Sequence, residues 1–398
     1  MKDLKNDPFG KFNGNEQKYA IQALDSSLDQ DKSFNLRFEE AFAEKFSCKY
    51  AVAVNSGTSG LHAAVYAAGV KPGDEVIGPG LTVVMDAWAI IHLGATPVFA
   101  DVKRDTMTID PEDIKRKITP KTKAIIVVSL QGLSVDIDPI MQIAEENNLI
   151  VIEDSAQTVL GTYKGKLAGT MGHINVFSFE NKKHMTCGSE GGMIVTDDEE
   201  LAVRARKFAG LGYKHMTATA GRTSLAMSTV QDPNYERFDT VGLNYRLNEV
   251  SAAVGLGQLE RIDEIVARRK ACAVFFDDAV NGCSFMTPQK TPNCCDHSHY
   301  TYTVKYHGEE ETGLSWKDFY NRYLEMGGDG FYGACMVPYL EPAFHELEVN
   351  GTTYESGLCP VAEDIQQQIM QFKTNYRDLE VAKIKAEILK KLINELSI

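Results

Sequence analysis

The sequence has no run of about 18 apolar residues, the length that a helix needs to cross a bilayer, so we expect no membrane-spanning segment. Residues 1–15 are polar and contain no apolar stretch of the kind that marks proteins for secretion, which predicts a cytoplasmic protein. Only eight cysteines occur in 398 residues, and their scatter favours reduced thiols over a disulfide framework. These absences argue against a membrane protein and against a disulfide-stabilised secreted protein.

Clustered metal ligands are also scarce in the sequence. Cys294 and Cys295 stand near His297 and His299, and these residue types bind zinc, but a second ligand pair at the usual zinc spacing is missing. We therefore expect no metal ion and interpret the cysteines as surface or packing thiols.

Positive charge is in deficit, since 41 Lys and Arg residues face 55 Asp and Glu residues and the net charge is −14. A surface this acidic disfavours a nucleic-acid polymer or an anionic membrane as partner, because both require positive charge. A small anionic ligand is compatible with it, because a few local groups can hold such a ligand. The hydrophobic share of 43% and the charged share of 24% are those of an ordinary soluble globular protein.

Short apolar runs alternate with helical periodicity over the first two-thirds of the chain, which predicts βαβ units and a mostly parallel sheet. Ligands of such sheets bind at the carboxyl ends of the strands. Seven strands are predicted, at Tyr50–Val54, Glu75–Gly78, Thr96–Asp101, Ala124–Leu130, Leu149–Glu153, Asn175–Phe179 and Gly192–Thr196. Helices are predicted at Ser59–Ala68, Val83–His92, Pro111–Ile118 and Asp138–Asn147.

The alternation weakens from about Arg206 to Asp239, which indicates a long loop, and a helical stretch follows from Asn248 to about Ala273. Beyond this stretch, strand-like and helical segments are mixed without the βαβ alternation. We therefore divide the chain into a large α/β domain with an amino-terminal segment, residues 1–273, and a smaller α+β domain, residues 274–398.

Four segments contain residue types suited to binding or catalysis, and two of these segments contain glycines. Asn55–Gly60 follows the first predicted strand and precedes a helix. Its free backbone N–H groups and hydroxyls suit a phosphate, although a helix-capping role explains the same residues. Gly242–Leu247 closes the long loop and on its own indicates only a turn into a helix.

The other two segments carry a carboxylate and a lysine behind apolar strands. A partly desolvated carboxylate at Asp154 favours a cationic partner such as a pyridinium nitrogen, and a helix N-cap is the alternative. A desolvated lysine at Lys183, ahead of the glycine-rich turn Gly188–Gly192, can act as an amine nucleophile. The alternative is that Lys182 and Lys183 are solvated surface residues.

The order of these segments and the sequence between them resemble the DegT/StrS family of sugar-modifying aminotransferases, from about Asn15 to Leu396. The matches are Asn55–Ser59, Pro72–Ile77, Gly94–Phe99, Glu153-Asp154 with Gln157, Phe177–Phe179 with Lys183, and Gly242–Arg246. The resemblance implies the type I fold of pyridoxal-phosphate enzymes, with a large seven-stranded, mostly parallel sheet domain and a smaller C-terminal α+β domain. It also implies pyridoxal 5'-phosphate as the cofactor and a homodimer with shared active sites.

The same resemblance assigns residues to the cofactor phosphate. The backbone amides of Gly57 and Thr58 and the hydroxyl of Ser178 would bind it within one subunit. Asn244 would reach it from the neighbouring subunit.

The resemblance assigns further residues to the cofactor ring. Asp154 would pair with the pyridine nitrogen, and Gln157 would contact the ring oxygen. Lys183 would be the catalytic residue, which binds the cofactor covalently and then transfers the proton. The family spacing after Phe177–Phe179 selects Lys183 over Lys182.

Departures from the family pattern concern the substrate pocket. The aromatic residue that usually follows the threonine equivalent to Thr82 is Val83 here, and we expect Trp88 to be a core residue rather than its substitute. A histidine of the smaller domain is replaced by Tyr300. The candidate substrate residues are His184, Arg222 and Arg246, of which the last suits the carboxylate of the amino donor.

The predicted reaction is the transfer of an amino group from glutamate or glutamine to a keto sugar. The resemblance favours a 3- or 4-keto-deoxy nucleotide sugar as the acceptor of the amino group, in cell-surface polysaccharide or antibiotic sugar biosynthesis. Three alternatives stay open: a 3-dehydratase of the same family, an aminotransferase for a non-nucleotide keto sugar, and a non-catalytic cofactor-binding regulatory protein. The dehydratases carry histidine in place of the covalently binding lysine, so Lys183 favours the aminotransferase.

Overall fold

The computed structural model describes residues 11–25, 33–219, 227–333 and 336–397. The helices are α1 (Glu16–Asp25), α2 (Phe34–Phe46), α3 (Gly57–Ala67), α4 (Met85–Ile91), α5 (Pro111–Lys117), α6 (Ile137–Asn147), α7 (Glu199–Ala209), α8 (Met227–Gln231), α9 (Glu249–Leu259), α10 (Ile262–Val280), α11 (Glu309–Thr312), α12 (Trp316–Glu325), α13 (Pro360–Gln366) and α14 (Leu379–Leu396). The strands are β1 (Tyr50–Val54), β2 (Glu75–Pro79), β3 (Thr96–Ala100), β4 (Thr122–Val128), β5 (Ile150–Asp154), β6 (Thr162–Tyr163), β7 (Lys166–Leu167), β8 (Ile174–Ser178), β9 (Gly192–Thr196), β10 (Met286–Pro288), β11 (Cys295–Asp296), β12 (Thr301–Tyr306) and β13 (Ile369–Lys373). Within these residues, no helix combines the length and the apolar character that crossing a bilayer requires.

The centre of the molecule is a seven-stranded sheet in the order β1-β9-β8-β5-β4-β2-β3. Neighbouring strands pair in parallel except β9, which runs antiparallel to both β1 and β8. The strands are buried along nearly their whole length, which is typical of sheets that helices cover on both faces and explains their continuous apolar runs. The seven predicted strands and the mostly parallel α/β sheet are therefore confirmed.

Local signals fix where the helices after the strands begin. Ser56 and Ser59 form a capping box at α3, in which each hydroxyl accepts a hydrogen bond from the backbone amide of the other residue. Asp110 caps α5, and Pro111 occupies its first turn. Because Ser56 is the cap, α3 begins at Gly57 rather than at the predicted Ser59.

The helical stretch predicted from Asn248 to about Ala273 is interrupted in the structure, where it forms α9 and α10. Arg261 leaves the helical conformation, with φ −116° and ψ 10°. Its guanidinium lies 3.4 Å from the carboxylate of Glu16, which is buried in α1. This ion pair stabilises the break, and a sequence pattern cannot show it because the two residues are far apart along the chain.

The C-terminal part of the chain builds its own core around the antiparallel sheet β10-β12-β13, with α10, α12 and α14 packed against it. This arrangement confirms the smaller α+β domain of the predicted fold class. The predicted boundary between residues 273 and 274 falls within α10. Val266 of this helix packs in the core of the large domain and Phe276 packs in the core of the small one, so the division at that point stays a prediction.

Candidate active site

Three parallel strands, β1, β5 and β8, end on the same edge of the central sheet. β1 ends at Val54 and β8 ends at Ser178, and both residues pair with Gly192, the first residue of the antiparallel β9. Gly192 therefore holds the segment that follows Val54 next to Ser178. A Cβ atom on Gly192 would come within 2.7 Å of the Ser56 carbonyl, so this close approach requires glycine.

The amino terminus of α3 lies directly against Ser178. A Cβ atom on Gly57 would stand 2.7 Å from the Cβ and 3.1 Å from the hydroxyl oxygen of Ser178. The first N–H groups of a helix have no partner inside the helix, and the helix dipole adds partial positive charge there. Since the Ser56 hydroxyl already bonds the Ser59 amide, the amides of Gly57 and Thr58 and the Ser178 hydroxyl form a small uncharged site suited to a phosphate.

Two neighbouring carboxyls at the end of β5 serve different purposes because side chains alternate along a strand. Glu153 is fully buried, and its oxygens accept hydrogen bonds of 2.7 to 3.4 Å from backbone amides in the loop 169–172. It therefore anchors that loop. Asp154 is 1% exposed, and its Oδ1 accepts a hydrogen bond of 2.8 Å from the Ala156 amide.

The electrostatic surroundings of Asp154 suit a cationic partner. Burial raises the pKa of its carboxyl, whereas the Ala156 amide and the nearby Lys183 ammonium lower it. A buried carboxylate with a single backbone donor has lost most of its hydration and gains from an added positive charge.

The loop after β8 carries the two candidate lysines. Lys183 is half-buried, and its Nζ lies 5.0 Å from the centroid of the Tyr300 ring. Lys182 is exposed, and its Nζ lies 5.3 Å from the centroid of the Tyr332 ring. Because Lys183 is near enough to lower the pKa of Asp154, the geometry favours Lys183 as the amine at the sheet edge.

Gln157 also lies at this edge and is 7% exposed. Its Oε1 accepts a hydrogen bond of 3.0 Å from the backbone amide of Gln131, which follows β4. Because β4 is the neighbour of β5, this bond holds the Gln157 side chain close to the end of the strand that carries Asp154.

The segment Gly242–Leu247 runs beside the end of β1, where the amide of Asn55 donates to the carbonyl of Tyr245 at 2.7 Å. Asn244 and Arg246 are exposed, and Arg246 Nε donates to Asn244 Oδ1 at 3.0 Å. Both side chains are therefore accessible to a second subunit or to a substrate. Arg222, the third candidate substrate residue, lies outside the described residues.

His184 occupies the interior rather than the surface. It is 3% exposed, its Nε2 lies 3.1 Å from the Ser298 carbonyl oxygen, and its ring centroid lies 5.8 Å from that of Tyr300. Burial holds the pKa of its imidazole well below the ordinary value, so the ring is neutral at physiological pH. A contact between His184 and substrate stays a prediction.

Trp88 is half-buried and packs against the core around the central sheet, as we expected. Its ring stacks on that of Phe344, with centroids 5.1 Å and planes 13° apart. Val83, which stands where the family usually has an aromatic residue, is half-buried.

Two residues near this site were not predicted from the sequence. Asp86, in the first turn of α4, is 3% exposed, and its carboxyl lies within hydrogen-bonding reach of Asp154. Arg269 of α10 is 5% exposed and donates to the carbonyls of Lys182 and Lys183 at 3.1 and 3.0 Å. An aspartate inside an otherwise apolar helical stretch was a usable signal for Asp86, whereas nothing distinguishes Arg269 in a helix rich in charged residues.

Among the described side chains, no group of three or more His, Cys, Asp or Glu residues is arranged to hold a metal ion. The sulfur atoms of Cys294 and Cys295 lie 3.9 Å apart. His297 contacts Gln289 Oε1 at 3.1 Å and stacks on His299 with ring centroids 4.0 Å apart.

Comparisons with known proteins identify the family of this chain. The model of the DegT/DnrJ/EryC1/StrS aminotransferase family matches residues 11–387. The GDP-perosamine synthase of Caulobacter vibrioides is 40% identical over 269 residues, which are 67% of this chain and 67% of that protein. The GDP-perosamine synthase of Escherichia coli O157:H7 is 37% identical over 299 residues, 75% of this chain and 77% of that protein. The X-ray structure of the aminotransferase from Psychrobacter cryohalolentis matches with a TM-score of 0.85 at 29% identity and covers 96% of this chain and 97% of that chain. This chain therefore belongs to the DegT/DnrJ/EryC1/StrS aminotransferase family.

Proposed function

We propose that this aminotransferase uses pyridoxal 5'-phosphate to transfer an amino group from glutamate or glutamine to a keto sugar, a 3- or 4-keto-deoxy sugar linked to a nucleotide. One observation carries the proposal: three kinds of group meet at one edge of the sheet. They are the helix amides beside the Ser178 hydroxyl, the buried Asp154 carboxyl and the Lys183 amine. These groups match the phosphate, the ring nitrogen and the aldehyde of a single cofactor molecule.

The approach of α3 to Ser178 supports the phosphate end of this cofactor. The residue at the contact is glycine, and a Cβ there would fill the space between the helix terminus and the Ser178 side chain. Backbone amides and a hydroxyl hold a phosphate without a cationic side chain. A protein with a net charge of −14 can therefore bind this anion through local dipoles.

Asp154 and Gln157 support the ring end. A pyridine ring that is protonated at its nitrogen acts as an electron sink for a carbanion formed on the amino donor. Asp154 would keep that nitrogen protonated, since its buried carboxylate stabilises a positive charge beside it. The Oε1 of Gln157 is bonded to Gln131, which leaves its Nε2 to donate to the ring oxygen.

Lys183 would supply the amine that binds the cofactor covalently. Once the amino donor displaces this amine, the freed Lys183 amine would act as the general base and acid that moves the proton between the reacting carbons. Arg269 supports this role, because its guanidinium bonds the carbonyl of Lys183 at 3.0 Å and so restrains the backbone that carries the amine.

We further propose a homodimer in which Asn244 of one subunit reaches the cofactor phosphate of the other. Three apolar side chains near Asn244 are exposed in the single chain: Phe238 by 55%, Val241 by 92% and Leu243 by 41%. Apolar side chains exposed together are typical of protein interfaces. The exposed Arg246, bonded to Asn244, would then face the amino donor or the sugar at the same interface.

The nature of the nucleotide sugar is suggested by the relatives. Two of them are named GDP-perosamine synthase, which favours a GDP-linked sugar as the substrate of this chain as well. We place the reaction in the cytoplasm, in the supply of amino sugars for cell-surface polysaccharide.

The reverse half-reaction tests this function. The full-length protein is loaded with pyridoxal 5'-phosphate and mixed with GDP-perosamine or with glutamate, and the cofactor absorbance is recorded. We expect both compounds to convert the cofactor to its pyridoxamine form, and we expect Lys183→Ala to respond to neither. A response to glutamate but to no GDP-, UDP- or dTDP-linked amino sugar would contradict the sugar substrate. A response to no amino compound would contradict aminotransfer itself.

A further inference from the structure

A second carboxyl stands behind Asp154. Asp86 is the second residue of the apolar helix α4, and its side chain points into the interior, where it is 3% exposed. The Thr82 hydroxyl donates to Asp86 Oδ2 at 2.8 Å. Among the described residues, Asp86 Oδ1 is buried and has no hydrogen-bond donor.

The carboxyls of Asp86 and Asp154 are hydrogen-bonding neighbours. Two neighbouring carboxylates in a buried site repel each other, so one of them retains a proton and donates a hydrogen bond to the other. A retained proton also accounts for the unpartnered oxygen of Asp86, because a protonated carboxyl becomes a donor and the other carboxylate accepts its hydrogen bond.

The surroundings decide which of the two carboxyls holds the proton. Asp154 has a backbone donor in Ala156 and the Lys183 ammonium nearby, and both favour its charged form. Asp86 has the Thr82 hydroxyl, and its pKa is raised well above the ordinary value by burial and by the neighbouring charge of Asp154. The proton therefore belongs on Asp86.

We propose that Asp86 is a positioning residue that stays a neutral acid and donates a hydrogen bond to the Asp154 carboxylate, which fixes that carboxylate toward the ring nitrogen of the cofactor. The inference rests on the proposed role of Asp154. Without this donor, Asp154 can turn away or take up the proton itself, and either change weakens its hold on a pyridinium.

The test compares pyridoxal 5'-phosphate affinity among variants of the full-length protein. Asp86→Asn keeps a donor for Asp154 and an acceptor for Thr82, so its dissociation constant should stay within about threefold of the wild-type value. Asp86→Leu has a similar shape and no donor, so its dissociation constant should rise about tenfold or more, as expected when a charged acceptor loses its partner. Equal affinity of Asp86→Leu and wild type, or equal loss in both variants, would overturn the proposal.

Two further measurements separate the possible failures. Asp154→Leu must weaken cofactor binding if Asp154 pairs with the ring; if it does not, the proposed cofactor site is wrong, whatever Asp86 does. The infrared difference spectrum between wild type and Asp86→Asn at neutral pH should contain the carbonyl stretch of a protonated carboxyl. Absence of that band would overturn the neutral state of Asp86 even if Asp86→Leu does not fold.

Discussion

Gly57 shows how one residue determines whether the proposed phosphate site exists. Its Cα faces the Ser178 side chain so closely that the methyl group of alanine would stand 2.7 Å from the Ser178 Cβ. The helix terminus or the strand end must shift to relieve such a contact, and either shift separates the α3 amides from the Ser178 hydroxyl. The site therefore depends on the lack of a side chain as much as on the groups that donate hydrogen bonds.

We predict that Gly57→Ala weakens pyridoxal 5'-phosphate binding about tenfold or more, since overpacking of this kind costs about 1–3 kcal/mol. Absorbance titration of the purified protein measures the change. Gly78→Ala is the matched control, because a Cβ on Gly78 of β2 would meet nothing within 4 Å. Equal affinities for Gly57→Ala and Gly78→Ala would show that the phosphate lies elsewhere.

At the scale of secondary structure elements, α10 ties the loop of the candidate lysine to the small domain. The Arg269 guanidinium donates to the carbonyls of Lys182 and Lys183 and also to the Tyr300 carbonyl at 2.8 Å and Thr374 Oγ1 at 3.3 Å. Burial lowers the pKa of Arg269 to about 10, which still leaves it charged at neutral pH. One side chain therefore couples the backbone position of Lys183 to the strands of the C-terminal core.

Replacing Arg269 with leucine should lower the free energy of unfolding by about 2–4 kcal/mol, because four acceptors, one buried and three partly buried, lose a charged donor. Urea unfolding monitored by circular dichroism measures this loss. Arg268→Leu serves as the control: Arg268 pairs with Glu264 on the same helix near the surface, and such a pair contributes about 1 kcal/mol or less. Similar losses in both variants would contradict the anchoring role of Arg269.

The elements also show how far the sequence determines the fold. β1 and β9 begin and end where the sequence predicts, because their apolar runs are bounded by polar residues or glycine. β4 begins at Thr122 rather than at the predicted Ala124, since Thr122 pairs with Glu75 of β2. Pairing between distant strands is a tertiary contact, and a local pattern does not contain it.

The residues of the candidate site likewise fall into those that the sequence predicts and those that only tertiary contacts bring to the site. Asp154 and Lys183 could be predicted because each follows an apolar strand and because the sequence resembles a known family. Asp86 could not be placed beside Asp154, nor Arg269 beside Lys183, because these contacts join separate elements. The predicted substrate role of Arg222 is untested, since Arg222 lies outside the described residues.

At the scale of the whole molecule, the exposed face around Asn244 bears on assembly. If Asn244 completes the site of the partner subunit, mixing two inactive variants should restore activity. Lys183→Ala and Asn244→Asp place their defects on opposite sides of such an interface, so a mixed dimer contains one site with neither defect. We predict that unfolding and refolding the two variants together regenerates activity, as measured by aminotransfer from glutamate.

A matched pair of variants controls this experiment. Lys183→Ala mixed with Asp154→Asn should stay inactive, because we assign both residues to the same subunit and every site in the mixed dimer then carries a defect. Recovery in both mixtures, or in neither, would contradict a site shared through Asn244.

The central claim is that Lys183 is the amine that binds pyridoxal 5'-phosphate at the carboxyl edge of the sheet. Borohydride reduction of the loaded full-length protein makes such a bond permanent, and peptide mass spectrometry then locates it. We predict a phosphopyridoxyl group on Lys183, its loss in Lys183→Ala, and its retention on the same residue in Lys182→Ala. A label on Lys182, or on no residue of this loop, would contradict the account.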